Sequence, residues 1–229
     1  MNMIEEKEYI DFHPTVLQKT SMIFDVDSFY ECMEKYKFAF RTWGKEKAHL
    51  PRYGLPLVNQ NGSMLNNPEP ICYPLDEWLR CYPDEQFLDR DVRVPTEVLN
   101  EDAFAVLQPI KKYMLRSAIL RWDAESFFYP HTDTWLPSPI LRLWGTTEPN
   151  NVKIQFDKER RRAESPNGVK GMNPQVENFE DFEIEAGRLY VIDTSIIHGA
   201  RSYYDDIGYQ FFIAIHTDGI EDLKKCISI

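Results

Sequence analysis

The chain has 229 residues, of which 43% are hydrophobic and 28% charged, and this composition excludes a wholly disordered polymer. Its 26 basic residues against 37 acidic ones give a formal net charge of −11. That charge argues against a general binder of nucleic acid or of anionic membranes, because phosphates are repelled. We therefore expect neither partner, although a local basic pocket for a small anion stays compatible with the charge.

The start of the chain and its cysteines predict a cytoplasmic protein. Residues 1–8 are polar and acidic, unlike a secretory signal peptide, and no run of 18 apolar residues predicts a membrane-spanning helix. The cysteines stand neither in a C-x-x-C pair nor beside histidine, and they are Cys32, Cys72, Cys81 and Cys226. Scattered thiols of this kind are expected to be reduced.

Helices and loops are predicted for the first half of the chain. Residues 28–40 repeat apolar side chains at helical spacing, with Asp27 or Ser28 as the N-cap. Residues 44–95 are rich in proline, glycine and asparagine and predict loops and short strands. A second apolar stripe at helical spacing predicts a helix over 96–112.

The pattern changes after residue 113 to short β-branched or aromatic runs bounded by turn residues. Strands are expected at 114–122, 126–130, 140–146, 152–156, 188–193 and 209–217. Because no helices separate them, they favour an antiparallel sandwich or barrel. We expect a single integrated domain, in which residues 1–112 form a helical and loop extension packed on a barrel of residues 113–229. Residues 158–178, which include three consecutive arginines, predict a surface loop.

Two of the five histidines follow predicted strands and suggest a metal site. His131 and Asp133 are two residues apart, so both side chains point to one side of an extended chain. His198 follows a later strand. Two imidazoles and one carboxylate form the facial arrangement that holds Fe(II) and leaves positions open for a chelating co-substrate and dioxygen. The alternative is that His131 and Asp133 are ordinary surface residues and His198 is a core histidine.

Two arginines are candidates for binding a carboxylate in the same region. Arg142 shares one face of its predicted strand with Trp144, while Leu141 and Leu143 share the other face. A guanidinium on an apolar strand suits bidentate binding of a carboxylate, and an edge-strand arginine that reaches solvent is the alternative. Arg201 lies three residues after His198 and competes with Arg142 for the same role.

Residues 114–218 resemble the aspartyl/asparaginyl β-hydroxylase and proline 3-hydroxylase branch of the Fe(II)/2-oxoglutarate-dependent oxygenases. The matching segments, in chain order, are Pro130-His131-Thr132-Asp133, Leu141-Arg142-Leu143, the strand 185–194 that ends near an aspartate, and His198. The resemblance covers the C-terminal half of the chain.

The resemblance implies a mainly β protein with a double-stranded β-helix barrel of the cupin or jelly-roll kind. It further implies non-haem Fe(II) held by His131, Asp133 and His198, with no catalytic side chain beyond these ligands. The implied co-substrate is 2-oxoglutarate, and Arg142 would belong to the pocket of the co-substrate or of the substrate. The implied activity is hydroxylation of a small-molecule or peptidyl partner, namely an amino acid or a residue in a peptide.

Two departures from the family pattern leave alternatives open. Gln210 lies nearest the place where the family usually carries an arginine for the far carboxylate of 2-oxoglutarate. A neutral amide cannot supply that charge, so Arg142 or Arg201 has to supply it, or the co-substrate differs. Trp144 stands where the family tends to carry histidine. The alternatives are a cupin-like binding or structural protein without turnover, and a metal-dependent cupin enzyme that does not use 2-oxoglutarate.

Overall fold

The computed structural model of the chain describes residues 16–42, 52–65, 92–131, 140–162, 178–204 and 206–226. The strands in these segments are β1 (Leu17–Ile23), β2 (Arg41–Thr42), β3 (Arg52–Asn59), β4 (Val94–Pro95), β5 (Ser117–Trp122), β6 (Phe127–His131), β7 (Ile140–Thr146), β8 (Val152–Asp157), β9 (Phe179–Asp181), β10 (Arg188–Ile192), β11 (His198–Ser202) and β12 (Gly208–His216). The α-helices in these segments are α1 (Val26–Tyr36) and α2 (Ile220–Lys224).

The strands form two antiparallel sheets. The larger sheet has the order β1-β10-β7-β12-β5-β3-β2, with β4 beside β3, and the smaller sheet has the order β6-β11-β8-β9. Over β5 to β12 the chain crosses repeatedly from one sheet to the other. Strands β5, β7, β10 and β12 lie in the larger sheet, and β6, β8, β9 and β11 lie in the smaller one. This is the strand order of a double-stranded β-helix, and the predicted cupin-like fold is confirmed.

The two faces of the larger sheet bury different sets of side chains. On β12, Phe211 and Ile213 belong to an apolar cluster on the outer face, whereas Gln210 and Phe212 line a cavity on the inner face. The period of two along a strand produces this division, since successive side chains point to opposite faces. Because both faces are covered, β12 is buried along nearly its whole length.

Helix α1 covers the outer face of the larger sheet. Asp25 is its N-cap, and the Asp25 carboxylate accepts two backbone hydrogen bonds from the first turn. Phe29 is fully buried and packs edge-on against Phe211 of β12, with ring centroids 4.9 Å apart. The helix predicted at 28–40 therefore exists, but it begins two residues earlier, uses a different cap and tightens into a 3-10 turn after Tyr36.

The region predicted as a second helix, residues 96–112, consists of 3-10 turns instead of an α-helix. Glu101 interrupts it with an extended backbone, and the Glu101 carboxylate accepts hydrogen bonds from Lys35 Nζ and the Tyr36 hydroxyl of α1 at 2.7 and 2.6 Å. The predicted apolar stripe is nevertheless buried, and its members include Val98, Leu99, Leu107 and Ile110. The apolar spacing thus located the buried face correctly, although the helix type was wrong.

The N-terminal half also contributes strands. Short strands were predicted within 44–95, where β3 and β4 lie, but β1 and β2 were not predicted. Strand β1 pairs with β10, and β3 lies between β5 and β2. Gly54 and Pro56 weaken the strand signal of β3 in the sequence. Pro56 has no backbone N–H to donate to a neighbouring strand. The structure accommodates it because the register of β3 against β5 shifts between Pro56 and Val58, where a bulge interrupts the hydrogen bonding.

The six strands predicted in the C-terminal half are all present, each within three residues of its expected bounds. Two further strands, β9 and β11, were not predicted. The sequence of β11 consists of His, Gly, Ala, Arg and Ser, none of which favours a strand on its own, and pairing with β6 and β8 decides its conformation. The middle of the predicted surface loop, residues 163–177, lies outside the described residues.

Among the described helices, none is long and apolar enough to cross a lipid bilayer. Cys32 and Cys226 are free thiols, as predicted, while Cys72 and Cys81 lie outside the described residues. Burial raises the pKa of the Cys32 thiol to about 11, so this thiol is protonated and unreactive at neutral pH.

We expect a fragment of residues 113–229 to lose cooperative unfolding. Without β3, α1 and the turns at 97–107, the outer face of the larger sheet exposes Leu143, Phe211 and Ile213, which are buried in the full chain. Exposing apolar area to water costs about 25 cal/mol per Å². We expect the cost of exposing this face to exceed the free energy of unfolding of a typical domain. Urea unfolding followed by circular dichroism compares the fragment with the full chain. An equally cooperative transition at the same midpoint would contradict this dependence.

Candidate functional site

Strand pairing brings His131 and His198 together. His131 ends β6, His198 begins β11, and the two residues are Cα partners in the smaller sheet. Their ring centroids are 4.5 Å apart, with the ring planes at 46°. Phe128 packs edge-on against His131 at 4.4 Å, and Phe156 lies 5.7 Å from His198. The two imidazoles predicted as ligands are therefore neighbours, held between aromatic rings.

A bulge in the edge strand β6 sets the position of His131. His198 pairs with His131, but the residue two further along β11 pairs with Phe128, so β6 contains one extra residue over this stretch. Pro130 lies in that stretch, where the lack of a backbone N–H is tolerated. Gly199 permits the close approach of the two strands, because a Cβ there would lie 2.9 Å from the Phe128 carbonyl oxygen.

A hydrogen bond to the backbone shows which ring nitrogen of His198 carries a hydrogen. His198 is 5% exposed, and its Nδ1 lies 2.9 Å from the carbonyl oxygen of Ile196. A carbonyl only accepts hydrogen bonds, so Nδ1 carries the proton and donates it. When the ring is neutral, this hydrogen bond leaves the lone pair on Nε2. A backbone carbonyl that orients a ring in this way is typical of histidines that bind metals.

Asp133, the third predicted ligand, lies outside the described residues. Within the segments that the structure describes, no group of three His, Cys, Asp or Glu side chains is placed to hold a metal ion. The described site is therefore the pair of imidazoles, and the role of Asp133 stays a prediction.

A cavity of about 650 Å³, counted out to its open mouth, lies between the two sheets beside the histidines. The lining includes both histidines and is otherwise contributed mainly by Arg116, which directly precedes β5, and by inward-facing residues of β5, β7 and β12. These lining residues include Arg116, Leu120, Trp122, Arg142, Trp144, Gln210 and Phe212.

Arg142 lies inside this cavity and is 3% exposed. Its guanidinium carbon is 4.7 Å from the centroid of the Phe212 ring, within the range of a cation–π contact. Trp144, two residues along β7, lines the same cavity, whereas Leu141 belongs to the outer cluster. The strand alternation predicted for this segment is confirmed, and it places a cation in the barrel interior.

Arg116 also lines the cavity, and the sequence analysis missed it. Its guanidinium carbon is 5.5 Å from the centroid of the same Phe212 ring. The signal was available, because Arg116, Ala118, Leu120 and Trp122 are two residues apart along a predicted strand. The same pattern predicted Arg142 on β7, but Arg116 was not among the predicted site residues.

The Gln210 side chain is locked by Trp122. The indole Nε1 of Trp122 donates to Gln210 Oε1 at 2.9 Å, and Gln210 is 5% exposed. Indole N–H only donates, so the amide oxygen has to face it. The amide NH₂ is then left as the group that Gln210 can offer to the cavity. Gln210 is therefore a fixed hydrogen-bond donor at the place where the resemblance implied an arginine.

The placement of Arg201 corrects the expectation that it competes with Arg142. Residues 199–202 are part of β11, and Arg201 is not among the residues that line the cavity. Its guanidinium carbon lies 5.3 Å from the Tyr203 ring centroid. Strand alternation is the reason, since His198 and Ala200 face the cavity and Arg201 therefore faces away.

The chain before His198 is fastened by ion pairs outside the cavity. Asp193 accepts hydrogen bonds from the backbone and hydroxyl of Ser195 and from Arg162 Nη2 at 2.8 Å. The Asp193 carboxylate is thus engaged by Ser195 and Arg162. The backbone N–H of Ile197 donates to the carbonyl of Arg161. Thus part of the arginine triplet predicted as a surface loop is attached to the segment that carries His198.

Asp157 is the buried partner of this attachment. Its carboxylate accepts from the guanidinium and the backbone N–H of Arg161, with the closest contact at 2.5 Å. The hydrogen bond from the Arg161 side chain is the main cause that lowers the pKa of Asp157 below its usual value. Asp157 is therefore ionised across the neutral range, and the charge strengthens its hold on Arg161.

No known family model matches the chain, and no curated protein matches it significantly. Among solved structures, the epimerase SnoN in complex with Fe3+, alpha ketoglutarate and nogalamycin RO has a TM-score of 0.51 and 9% identity, over 93% of this chain and 84% of that chain. HygX from Streptomyces hygroscopicus, with nickel and 2-oxoglutarate bound, has a TM-score of 0.47 and 13% identity, over 94% and 88%. At 9% identity, the likeness to SnoN shows the shared fold.

We expect Asp157→Asn to change how stability depends on pH. Because its pKa is lowered by folding, Asp157 stabilises the protein above the pKa of an unfolded aspartate, about 3.9, and this contribution disappears as the pH falls through the folded value. The variant should lose on the order of 1.5–3 kcal/mol at pH 7, as for a hydrogen bond to a charged group, and less at pH 3.

Chemical denaturation at pH 7 and pH 3 measures this difference. Glu183→Gln, which changes an exposed carboxylate in the connection to β10, is the control and should match the wild type at both values. An equal loss in Asp157→Asn at both pH values would show that the carboxylate charge is not what matters.

Proposed function

We propose that this chain is a non-haem Fe(II)/2-oxoglutarate-dependent dioxygenase that hydroxylates an amino acid or a peptidyl residue. The observation that carries the proposal is the pair of imidazoles, His131 and His198, at a cavity that also contains the buried guanidinium of Arg142. A metal site beside a cation suits a co-substrate that chelates the ion at one end and carries a carboxylate at the other. The motif order favours the aspartyl/asparaginyl β-hydroxylase and proline 3-hydroxylase branch.

The shared fold supports the proposal by analogy. SnoN, whose fold this chain shares over 93% of its length, was solved with Fe3+ and alpha ketoglutarate. One fold hosts many chemistries, so the likeness alone does not assign an activity. The argument therefore depends on the side chains of the cavity.

The donor set of this site fits a divalent metal ion of the iron kind. Centroids 4.5 Å apart are close enough for one nitrogen of each ring to reach a common ion at about 2.1 Å. The hydrogen bond from His198 Nδ1 to the Ile196 carbonyl leaves Nε2 as the metal-binding atom. Asp133, two residues after His131, would complete the set of two imidazoles and one carboxylate. Bound Fe(II) would supply dioxygen activation coupled to oxidation of the co-substrate.

Arg142 would bind the far carboxylate of 2-oxoglutarate. The family position on the last strand carries Gln210, but Arg142 lies on the neighbouring strand β7, which pairs with β12 along its length. A cation can therefore reach the same part of the cavity from the adjacent strand. The Gln210 amide NH₂, held by Trp122, would add a neutral hydrogen bond.

The remaining lining keeps water away from the site. Trp144, Ile154 and Ile192 contribute apolar surface to the cavity, and each is almost fully buried. A dry cavity strengthens the interaction of Arg142 with a bound carboxylate and protects reactive species from side reactions. The chain would thus orient the co-substrate and exclude solvent, while the cofactor carries the chemistry.

A binding protein that has lost turnover is the second candidate. The neutral Gln210 at the expected arginine position is the observation that favours it. Release of succinate that depends on both Fe(II) and 2-oxoglutarate separates an enzyme from such a protein.

The dioxygenase proposal also favours a cytoplasmic location, since the reaction uses reduced iron.

We expect His131→Ala, Asp133→Ala and His198→Ala to lower the affinity for Mn(II), an inert substitute for Fe(II), at least a hundredfold. Each change removes one of three bonds to the ion, while His131 and His198 lie at strand ends, so the barrel should persist. Isothermal titration calorimetry measures the affinity, and circular dichroism checks the fold. His216→Ala is the matched control, because His216 ends β12 outside the cavity lining. Wild-type affinity in the Asp133 or His131 variant would exclude this ligand set.

We expect Arg142→Met to raise the apparent KM for 2-oxoglutarate at least tenfold with Mn(II) affinity retained. A lost charge-assisted pair costs about 1.5–3 kcal/mol, which corresponds to roughly tenfold or more in affinity. Arg201→Met is the control and should leave KM unchanged, since Arg201 is absent from the cavity lining. If Arg201→Met raises KM and Arg142→Met does not, the assignment is reversed. If neither does, the binding-protein candidate gains.

A further inference from the structure

Three consecutive arginines after β8 bind carboxylates in three different parts of the barrel. Arg160 has a left-handed backbone, with φ of 56°, which is uncommon for a residue other than glycine and turns the chain sharply. The side chains that follow one another here reach β9, the end of β8 and the connection after β10. The ion pairs are Arg160–Glu180, Arg161–Asp157 and Arg162–Asp193.

Two of these pairs involve a buried carboxylate. The side chain of Asp157 is 0% exposed and that of Asp193 is 5% exposed, whereas both arginine partners are about half exposed. The distance from Arg162 Nη2 to Asp193 Oδ2 is 2.8 Å. A buried carboxylate that loses its cation is strongly unfavourable, so these contacts hold the chain in place from both ends.

The same stretch is also paired through its backbone with the segment that precedes β11. The N–H of Ile197 donates to the carbonyl of Arg161 at 2.9 Å, and the carbonyl of Ile197 accepts from the N–H of Asp157 at 2.9 Å. Arg162 and Ile196 form an isolated antiparallel bridge. The connection between β10 and β11 is thus fastened by backbone hydrogen bonds as well as by ion pairs.

The carbonyl of Ile196 is the point where this fastening reaches the proposed metal site. It lies 2.9 Å from Nδ1 of His198, so its position determines how the imidazole is rotated and where Nε2 points. Ile196 lies between Asp193 and Ile197, which are bound to Arg162 and to the Arg161 carbonyl. Bonds to a metal tolerate errors of only about 0.2 Å, so movement of this carbonyl would weaken the ligand.

We propose that Arg161 and Arg162 are positioning residues for His198, which act on the metal site through the backbone of Ile196 and Ile197. This inference rests on the proposed function and adds to it two residues outside the cavity. Neither arginine is among the described residues that line the cavity. Their effect on a bound ion therefore has to pass through the ligand. Partners that orient a ligand typically contribute about ten- to a hundredfold to metal affinity.

The first measurement is the affinity of the full chain for Mn(II) by isothermal titration calorimetry. Arg162→Met should lower this affinity about tenfold, and Arg162→Lys, which keeps the charge, should recover most of it. Arg161→Met should act in the same direction. Arg160→Met is the matched control, because it removes an ion pair of the same triplet but its partner Glu180 belongs to β9. The control should retain the wild-type affinity.

The second measurement separates positioning from a general loss of stability. Nitrogen NMR of the metal-free protein with labelled histidine reports which ring nitrogen carries the hydrogen, and His198→Ala identifies the signals. The wild type should show the Nδ1–H form of His198, whereas Arg162→Met should show a mixture of both neutral forms. Glu101→Gln removes the acceptor that binds Lys35 and Tyr36 of α1. It should lower stability and change neither the ring nor the Mn(II) affinity.

The results distinguish this inference from the proposed function. If the wild type does not bind Mn(II), the proposed function fails and the inference fails with it. If the wild type binds Mn(II) and both Arg161→Met and Arg162→Met bind it equally well, the inference is overturned and the proposed function stands. If Arg162→Met loses affinity but keeps the Nδ1–H form, or if Glu101→Gln loses as much affinity, the effect is one of stability and the inference is likewise overturned.

Discussion

Strand β12 is hydrogen-bonded on both sides, to β5 and to β7, and this double pairing determines which side chains face the barrel interior. A slip of one residue would exchange every inward side chain for an outward one. Gln210 and Phe212 would then join the outer cluster, and Phe211 would fill the cavity. Burial of the outer face under α1 prevents such a slip, because Phe29 packs against Phe211 only in the observed register. The apolar layer on the outside thus protects the polar site on the inside.

The same division explains how an acidic protein can have a basic cavity. Strand alternation turns Arg142 inward, and Arg116, which directly precedes β5, lines the same cavity. Phe212 belongs to β12 of the larger sheet, and its ring also contacts the guanidinium groups of Arg116 and Arg142. Arginine tolerates such a place better than lysine, because its planar and weakly hydrated group packs on an aromatic face. The interior charge is therefore a product of the fold and not of the overall composition.

His198 depends on contacts made outside the cavity. Its ring is oriented by the Ile196 carbonyl, and the segment that carries this carbonyl is fastened through Asp193 to Arg162 and through Ile197 to Arg161. Asp157, at the end of β8, holds Arg161 in turn. These ion pairs connect the end of β8 with the connection between β10 and β11. Metal sites commonly rely on partners of this kind, which position a ligand without touching the metal.

The sequence alone predicted an antiparallel sandwich or barrel and the inward face of Arg142, because both follow from local periods of two. It also singled out His131 and His198, because both follow predicted strands. It could not show that β11 is a strand, since His198–Ser202 has little strand propensity and forms one through pairing with β6 and β8. That pairing turns Arg201 away from the cavity. It could not show the 3-10 turns at 97–107, where Glu101 binds α1 through contacts about 65 residues apart. Only tertiary structure decided these points, because long-range hydrogen bonds overrode local propensity wherever that propensity was weak.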